Sequence, residues 1–195
     1  MEINAQLVKE LRDQTGCSIG KCKEALVEAG GDMDKAALVL KKQGAKIAAK
    51  KADRQTGQGL IEAYIHGDGR VGVLLQLLCE SDFVAKNDAF RELAHDIAMH
   101  IAAMDPQYIS SQDVPAKVID KEKEIFMEQI KKEGKPKTVA EKIVAGKLNK
   151  FLTEICLLQQ PFIKDETQTV GKLIEQKIGQ IGENIKVGQF TRFSI

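Results

Sequence analysis

The 195-residue chain has no tryptophan, and only 5% of its residues are aromatic. A protein that grips nucleic acid by stacking many bases needs more rings than this. The net charge is +1, so there is no global attraction to nucleic acid or to an anionic membrane. No apolar run approaches the roughly 20 residues of a membrane-spanning helix. The opening MEINAQLVKELRDQ is amphipathic and carries acidic residues, unlike a signal or transit peptide. The four cysteines, Cys17, Cys22, Cys79 and Cys156, form no CxxC pair. Reduced, buried thiols in a cytoplasmic protein are expected, and a zinc site is not.

Signatures of chemistry are missing too. There is no GxSxG elbow, no Walker GxxxxGK[ST] and no HExxH. His95 and His100 are spaced off a common helix face, and His66 has no Ser or Cys partner in any familiar pattern. Gly67-Asp68-Gly69-Arg70-Val71-Gly72 matches GxGxxG. A dinucleotide site needs a helix after the glycines, whereas a strand pattern follows here, so Asp68-Gly69 reads as a hairpin turn. The expectation is an interaction protein rather than an enzyme, with no cofactor and no bound metal.

What is present is an ordinary globular composition, 43% apolar and 29% charged. Residues 1–43 read as three short helices broken at Thr15-Gly16 and Gly30-Gly31, with Ser18 and Asp32 as caps. Such a bundle, like the ubiquitin-associated type, suits docking. Residues 44–57 read as a basic linker. The window Lys41–Arg54 also holds Lys42, Lys46, Lys50 and Lys51. An RNA-binding protein using this segment is the alternative reading, although a charge run without aromatics favours a solvated connecting helix or linker. Residues 58–195 read as a sheet domain. Its strands are 60–66, 71–78 and 185–193, with helices at 86–104 and from Thr169 onward. A charged helical hairpin (113–157) starts with Asp113 as cap and turns at Gly134-Lys135-Pro136. Lys164 to Gln168 read as a polar loop. The fold class is therefore α+β: a three-helix module, a linker, and a small antiparallel sheet with packed helices and a projecting hairpin.

One corner stands out. The apolar run Val71–Leu78 leads into Cys79-Glu80-Ser81-Asp82-Phe83-Val84, followed by a helical pattern. Locally, the favoured reading is that Ser81 or Asp82 caps the helix and Phe83 plugs the core. The competing reading is a carboxylate and a ring that push into a partner.

Ordered motifs along the whole chain carry a resemblance. They are LVKELRDQTG at 7–16, KCKEAL at 21–26, GGDMDKA at 30–36, SDFVAKN at 81–87, HDIAMHIAA at 95–103, GKPKTVAEKIVAGKLNKF at 134–151, LLQQPFIKD at 157–165 and TVGKLI at 169–174. The chain resembles the bacterial elongation factor Ts family in its short form. The resemblance implies a guanine nucleotide exchange factor in translation elongation. Such a factor binds elongation factor Tu carrying GDP, disturbs its magnesium and phosphate site, and releases GDP without doing chemistry. It also implies roles for residues. Phe83 becomes the wedge and Asp82 its polar neighbour, while Ser81 and Val84 fix the corner. Phe83 is then expected to be substantially exposed. Arg12 and Lys23 become secondary contacts, together with Ile19-Gly20, which departs from the Met-Met pair of some members. His66 matches a position that longer members use against another domain of Tu. Short members act as homodimers, so a two-to-two complex with Tu is expected, with no membrane and no direct nucleic-acid contact.

Overall fold

The structure is a computed structural model that describes residues 3–132 and 137–195. Three helices open the chain: α1 (Ala5–Thr15), α2 (Ile19–Glu28) and α3 (Met33–Lys51). Each starts at a side-chain cap. Asn4, Ser18 and Asp32 accept from the N–H of Leu7, Lys21 and Lys35, satisfying donors that a helix leaves orphaned. Gly16 closes α1 in the left-handed conformation. Leu11, Cys22, Ala25, Leu26 and Ala36 are fully buried and form a small core of their own.

The third helix does not stop where a linker was expected. It runs through Gly44 and Ala48 to Lys51, because residues 44–51 have a packing partner. That partner is α8 (Val170–Ile181). The two helices cross at paired glycines, and a Cβ added to Gly179 would lie 2.6 Å from the Gly44 Cα. Lys21 Nζ donates to Gly179 O at 2.7 Å, Gln180 Nε2 to Thr15 O, and Lys51 Nζ to Gly182 O. Cations at the carboxyl end of α8 also suit its dipole.

The sheet has the order β1 (Gln58–His66), β2 (Val71–Cys79), β5 (Ile185–Ser194), all antiparallel. Its strands alternate, as the period of two requires. Val73, Leu75, Leu77 and Cys79 face inward against Phe90, Leu93, Ile97 and Ile101 of α5 (Asp88–Met104), with Ile174 and Ile178 of α8 in the same core. The outer face carries Ile61, Ile65, Leu74 and Phe193, all exposed. A bulge at Gln76/Leu77 lies beside Gly188, where an added Cβ would displace the Gln76 carboxamide.

The hairpin of α6 (Ala116–Lys132) and α7 (Lys137–Ile155) is held by two separate apolar clusters. Val114, Ile155 and Cys156 pack at its base, and Ile130, Ala140 and Val144 toward its far end. The turn expected at Gly134-Lys135-Pro136 lies outside the described residues. Asp113 does not act as the expected cap. Its carboxylate accepts from the N–H and hydroxyl of Ser110 instead. The expected polar loop after Ile163 contains a strand, β4 (Asp165–Thr169), paired with β3 (Pro161–Phe162). Buried His100 and Gln160 brace this hairpin. His100 Nε2 lies 2.9 Å from Gln160 Oε1, and Ile163 N donates to His100 Nδ1. Desolvation holds the His100 pKa below its ordinary value.

Candidate functional site

The corner follows β2, whose last residue, Cys79, is fully buried. From that anchor the chain turns outward, and Ser81 caps a four-residue helical turn, α4 (Asp82–Ala85), by accepting from Val84 N at 3.4 Å. Phe83 is 81% exposed. It does not plug the core, because core positions beside it are taken by Val84, Ala85 and, at the start of α5, Phe90. Asp82 is also exposed. Lys86 donates to its Oδ2 at 2.8 Å, which lowers its pKa from the carboxylate norm. The result is a ring and an anion side by side on a short, anchored projection.

The frame behind the corner is polar. Glu183 accepts from both Ser81 N and Ser81 Oγ. Glu80 accepts from Asn184 N at 2.6 Å and from Arg54 Nη1 at 3.2 Å. The Asn184 bond, then Arg54, pulls the Glu80 pKa down. These partners were missed in the sequence, since the Glu183-Asn184 turn is far from the corner along the chain.

The secondary candidates form two groups. Arg12, Ile19 and Lys23 line one groove between α1 and α2, with Ile3, Val8 and Lys9. All three candidates are exposed, Ile19 by 59%. Gly20 adjoins them on α2, and a Cβ there would meet nothing within 4 Å, so a larger side chain could stand in its place. His66 is elsewhere. It ends β1, opposite Val71, while the corner leaves the other end of β2 beyond Cys79, opposite Gln58. At about 3.3 Å per strand residue these ends are roughly 25 Å apart. His66 Nδ1 lies 2.9 Å from the Tyr64 hydroxyl, and Tyr64 meets His95 edge-on.

The four cysteines are buried and unpaired in disulfides. Burial pushes the Cys22, Cys79 and Cys156 thiols up, which works against thiolate chemistry. Among the described residues no group of His, Cys, Asp and Glu could hold a metal ion, and no helix is long and apolar enough to cross a membrane.

A family profile described as "Elongation factor TS" matches residues 2–195. The chain belongs to the elongation factor Ts family. It is 53% identical over 193 residues to elongation factor Ts of Thermosipho melanesiensis, covering 99% of this chain and 98% of that one. It is 54% identical over 195 residues to that of Fervidobacterium nodosum, covering 100% and 99%. With that of Acetivibrio thermocellus it shares 54% over 191 residues, 98% of this chain and 89% of the relative. Membership in the elongation factor Ts family gives the chain a role as a translation elongation factor.

Proposed function

We propose that the chain is a guanine nucleotide exchange factor for elongation factor Tu. The observation that carries this reading is Phe83: a large apolar side chain, 81% exposed, on an anchored turn beside a carboxylate. An exposed aromatic ring gains nothing in the free protein. It becomes a strong contact once desolvated in a partner's pocket. Phe83 enters Tu near its magnesium and phosphate site, Asp82 supplies the polar contact beside it, and Ser81 and Val84 hold the turn. Arg12, Ile19, Gly20 and Lys23 form the second contact, and His66 a third.

The mechanism is linkage. A chain that binds nucleotide-free Tu more tightly than Tu carrying GDP must weaken GDP by the same factor. To speed release it must also bind while GDP is present, through a ternary complex. No bond is made or broken by the chain, so it is not an enzyme, and it uses no cofactor or metal of its own. Its place is the cytoplasm, where translation occurs. The test is release of labelled GDP from Tu. Substoichiometric amounts of the chain are expected to accelerate release and to turn over. No acceleration at any concentration rules the reading out.

We extend the proposal to a homodimer that binds two Tu molecules. The outer sheet face supports it. Ile65 reaches across Gly72, which pairs with Phe193, and Leu74 lies one row away. A contiguous exposed apolar surface of this kind marks an interaction site. Light scattering after size exclusion is expected to give a dimer mass at micromolar concentration, and a monomer mass there contradicts it.

The RNA-binding alternative is weaker. Two of its cations are already engaged within the chain, Lys51 with Gly182 O and Arg54 with Glu80. A steep loss of RNA affinity with salt would revive it.

A further inference from the structure

In a capping box, a Glu or Gln at the third helical position reaches back to the N–H of the cap residue. The turn at the corner cannot do this, because its third position is Val84. The carboxylate comes instead from Glu183, 102 residues away. Glu183 Oε2 accepts from Ser81 N at 3.0 Å, and Oε1 accepts from Ser81 Oγ at 2.6 Å. Ser81 Oγ in turn accepts from Val84 N. One carboxylate thus fixes both polar groups that set the direction of the first turn.

Otherwise α4 is held by Val84 and Ala85, which pack against the core, and by Cys79 Sγ, which donates to Ser81 O at 3.1 Å. The carboxylate matters because none of these accepts from the Ser81 N–H or hydroxyl. Four residues cannot form a stable helix alone. Phe83 has almost no packing, and the Asp82–Lys86 pair is exposed at both ends and adds little. Glu183 itself is well placed to be rigid. Before it, Gly182 ends α8 in the left-handed conformation. After it, Asn184 is 2% exposed, and its side chain donates to Ala52 O and Arg54 O at 3.3 and 2.9 Å. The carboxylate is therefore mounted between a helix end and a strand start. Asn184 ties the same short loop to the exit of α3.

We propose that Glu183 is a positioning residue: it holds Ser81 so that Phe83 projects in the direction the exchange contact requires. The functional half of this proposal rests on the exchange reading, and the geometric half does not.

The test uses the full chain and the variants Glu183→Ala and Glu183→Gln, each checked for an intact fold by far-ultraviolet circular dichroism and thermal melting. Hydrogen exchange at the Ser81 and Val84 amides reads the hold directly. Losing bonds to a charged acceptor should speed it by about tenfold or more in Glu183→Ala. Glu183→Gln should fall between, since its carboxamide offers one acceptor oxygen where the carboxylate offers two. In GDP release from Tu, Glu183→Ala should lower the maximal rate by about tenfold and leave the half-saturating concentration nearly unchanged. A double-mutant cycle separates positioning from general stability. Glu183→Ala should add almost nothing on top of Phe83→Ala, because a turn without its ring has nothing left to aim. Unchanged Ser81 protection in Glu183→Ala, or full additivity with Phe83→Ala, overturns the proposal while wild-type release stays normal. Failure of the wild-type chain to release GDP removes the exchange reading instead, and the amide measurement still decides whether Glu183 holds the turn.

Discussion

The corner at Ser81–Val84 and the groove between α1 and α2 are built in opposite ways. The corner exposes one large ring on a turn too short to stand alone, held from behind by Glu183 and, through Glu80, by Asn184. The groove presents long, exposed cations, Arg12 and Lys23, on two full helices that have their own apolar core. In physical terms, one is a single desolvating anchor whose direction must be fixed. The other is an electrostatic surface that tolerates movement, because long-range attraction needs little geometry. The two proposed contacts should therefore divide the work: the groove for encounter, the corner for the displacement of nucleotide. Between them runs the α3–α8 crossing, which fixes the spacing from one to the other.

The largest expected effect comes from breaking that spacing without touching either contact. Gly179→Leu would force a side chain into the Gly44 backbone, where even a Cβ lies 2.6 Å away. Overpacking of this kind costs about 1–3 kcal/mol, or roughly 2–12 °C in melting temperature for a chain of this size. GDP release should fall as well, although both contacts keep their residues. A Gly179→Leu variant with wild-type melting and release would show that the crossing does not couple them.

A smaller effect should sharpen the division of work. Arg12→Ala with Lys23→Ala should raise the half-saturating concentration in GDP release by about three- to tenfold, leave the maximal rate intact, and matter less as salt rises. A fall in maximal rate with no change in half-saturation would assign the groove to displacement and erase the contrast.

Much of this architecture could be read from the chain. The caps at Ser18 and Asp32, the Asp68-Gly69 hairpin and the apolar run Val71–Leu78 are local signals, and local physics decided them. Which residues of that run face inward is not among them, since Leu74 is as apolar as Leu75. The corner could be located the same way, since a strand pattern runs into a cap and a helix. What could not be read depends on partners distant in sequence. Gly44 and the lysines around it looked like a tether because nothing local announces that Gly179 will meet them. Lys164 to Gln168 looked like a loop because a polar two-strand ladder carries no apolar alternation. Asp113 looked like a cap, but a nearer hydroxyl, that of Ser110, competed for it. The exposure of Phe83 was undecidable from Ser81–Val84 alone, because a cap followed by an aromatic residue also describes a core plug. Glu183 had no signal at all: a lone acid in a turn says nothing about a residue 102 positions earlier.

The smallest effect concerns the support of the sheet domain rather than either contact. His100 is buried and its folded pKa is depressed by desolvation. The unfolded chain therefore binds a proton more readily at this site. The stability from neutral His100 is fully present above the ordinary histidine value, near 6.5, and is lost as pH falls below it toward the depressed folded value. Melting temperature should drop between pH 7 and pH 5, and drop less in His100→Gln. Equal pH dependence in the two proteins would mean that another group carries the acid sensitivity.

Whether a rigidly held Phe83 performs the exchange is decided by the release of labelled GDP from elongation factor Tu, driven by wild type and by Phe83→Ala. Truncating a desolvated aromatic anchor is worth about 2 kcal/mol or more. A folded Phe83→Ala should therefore retain less than about a tenth of the wild-type acceleration, while its melting temperature stays close to that of wild type because the ring is exposed. A folded Phe83→Ala that releases GDP as fast as wild type contradicts the account.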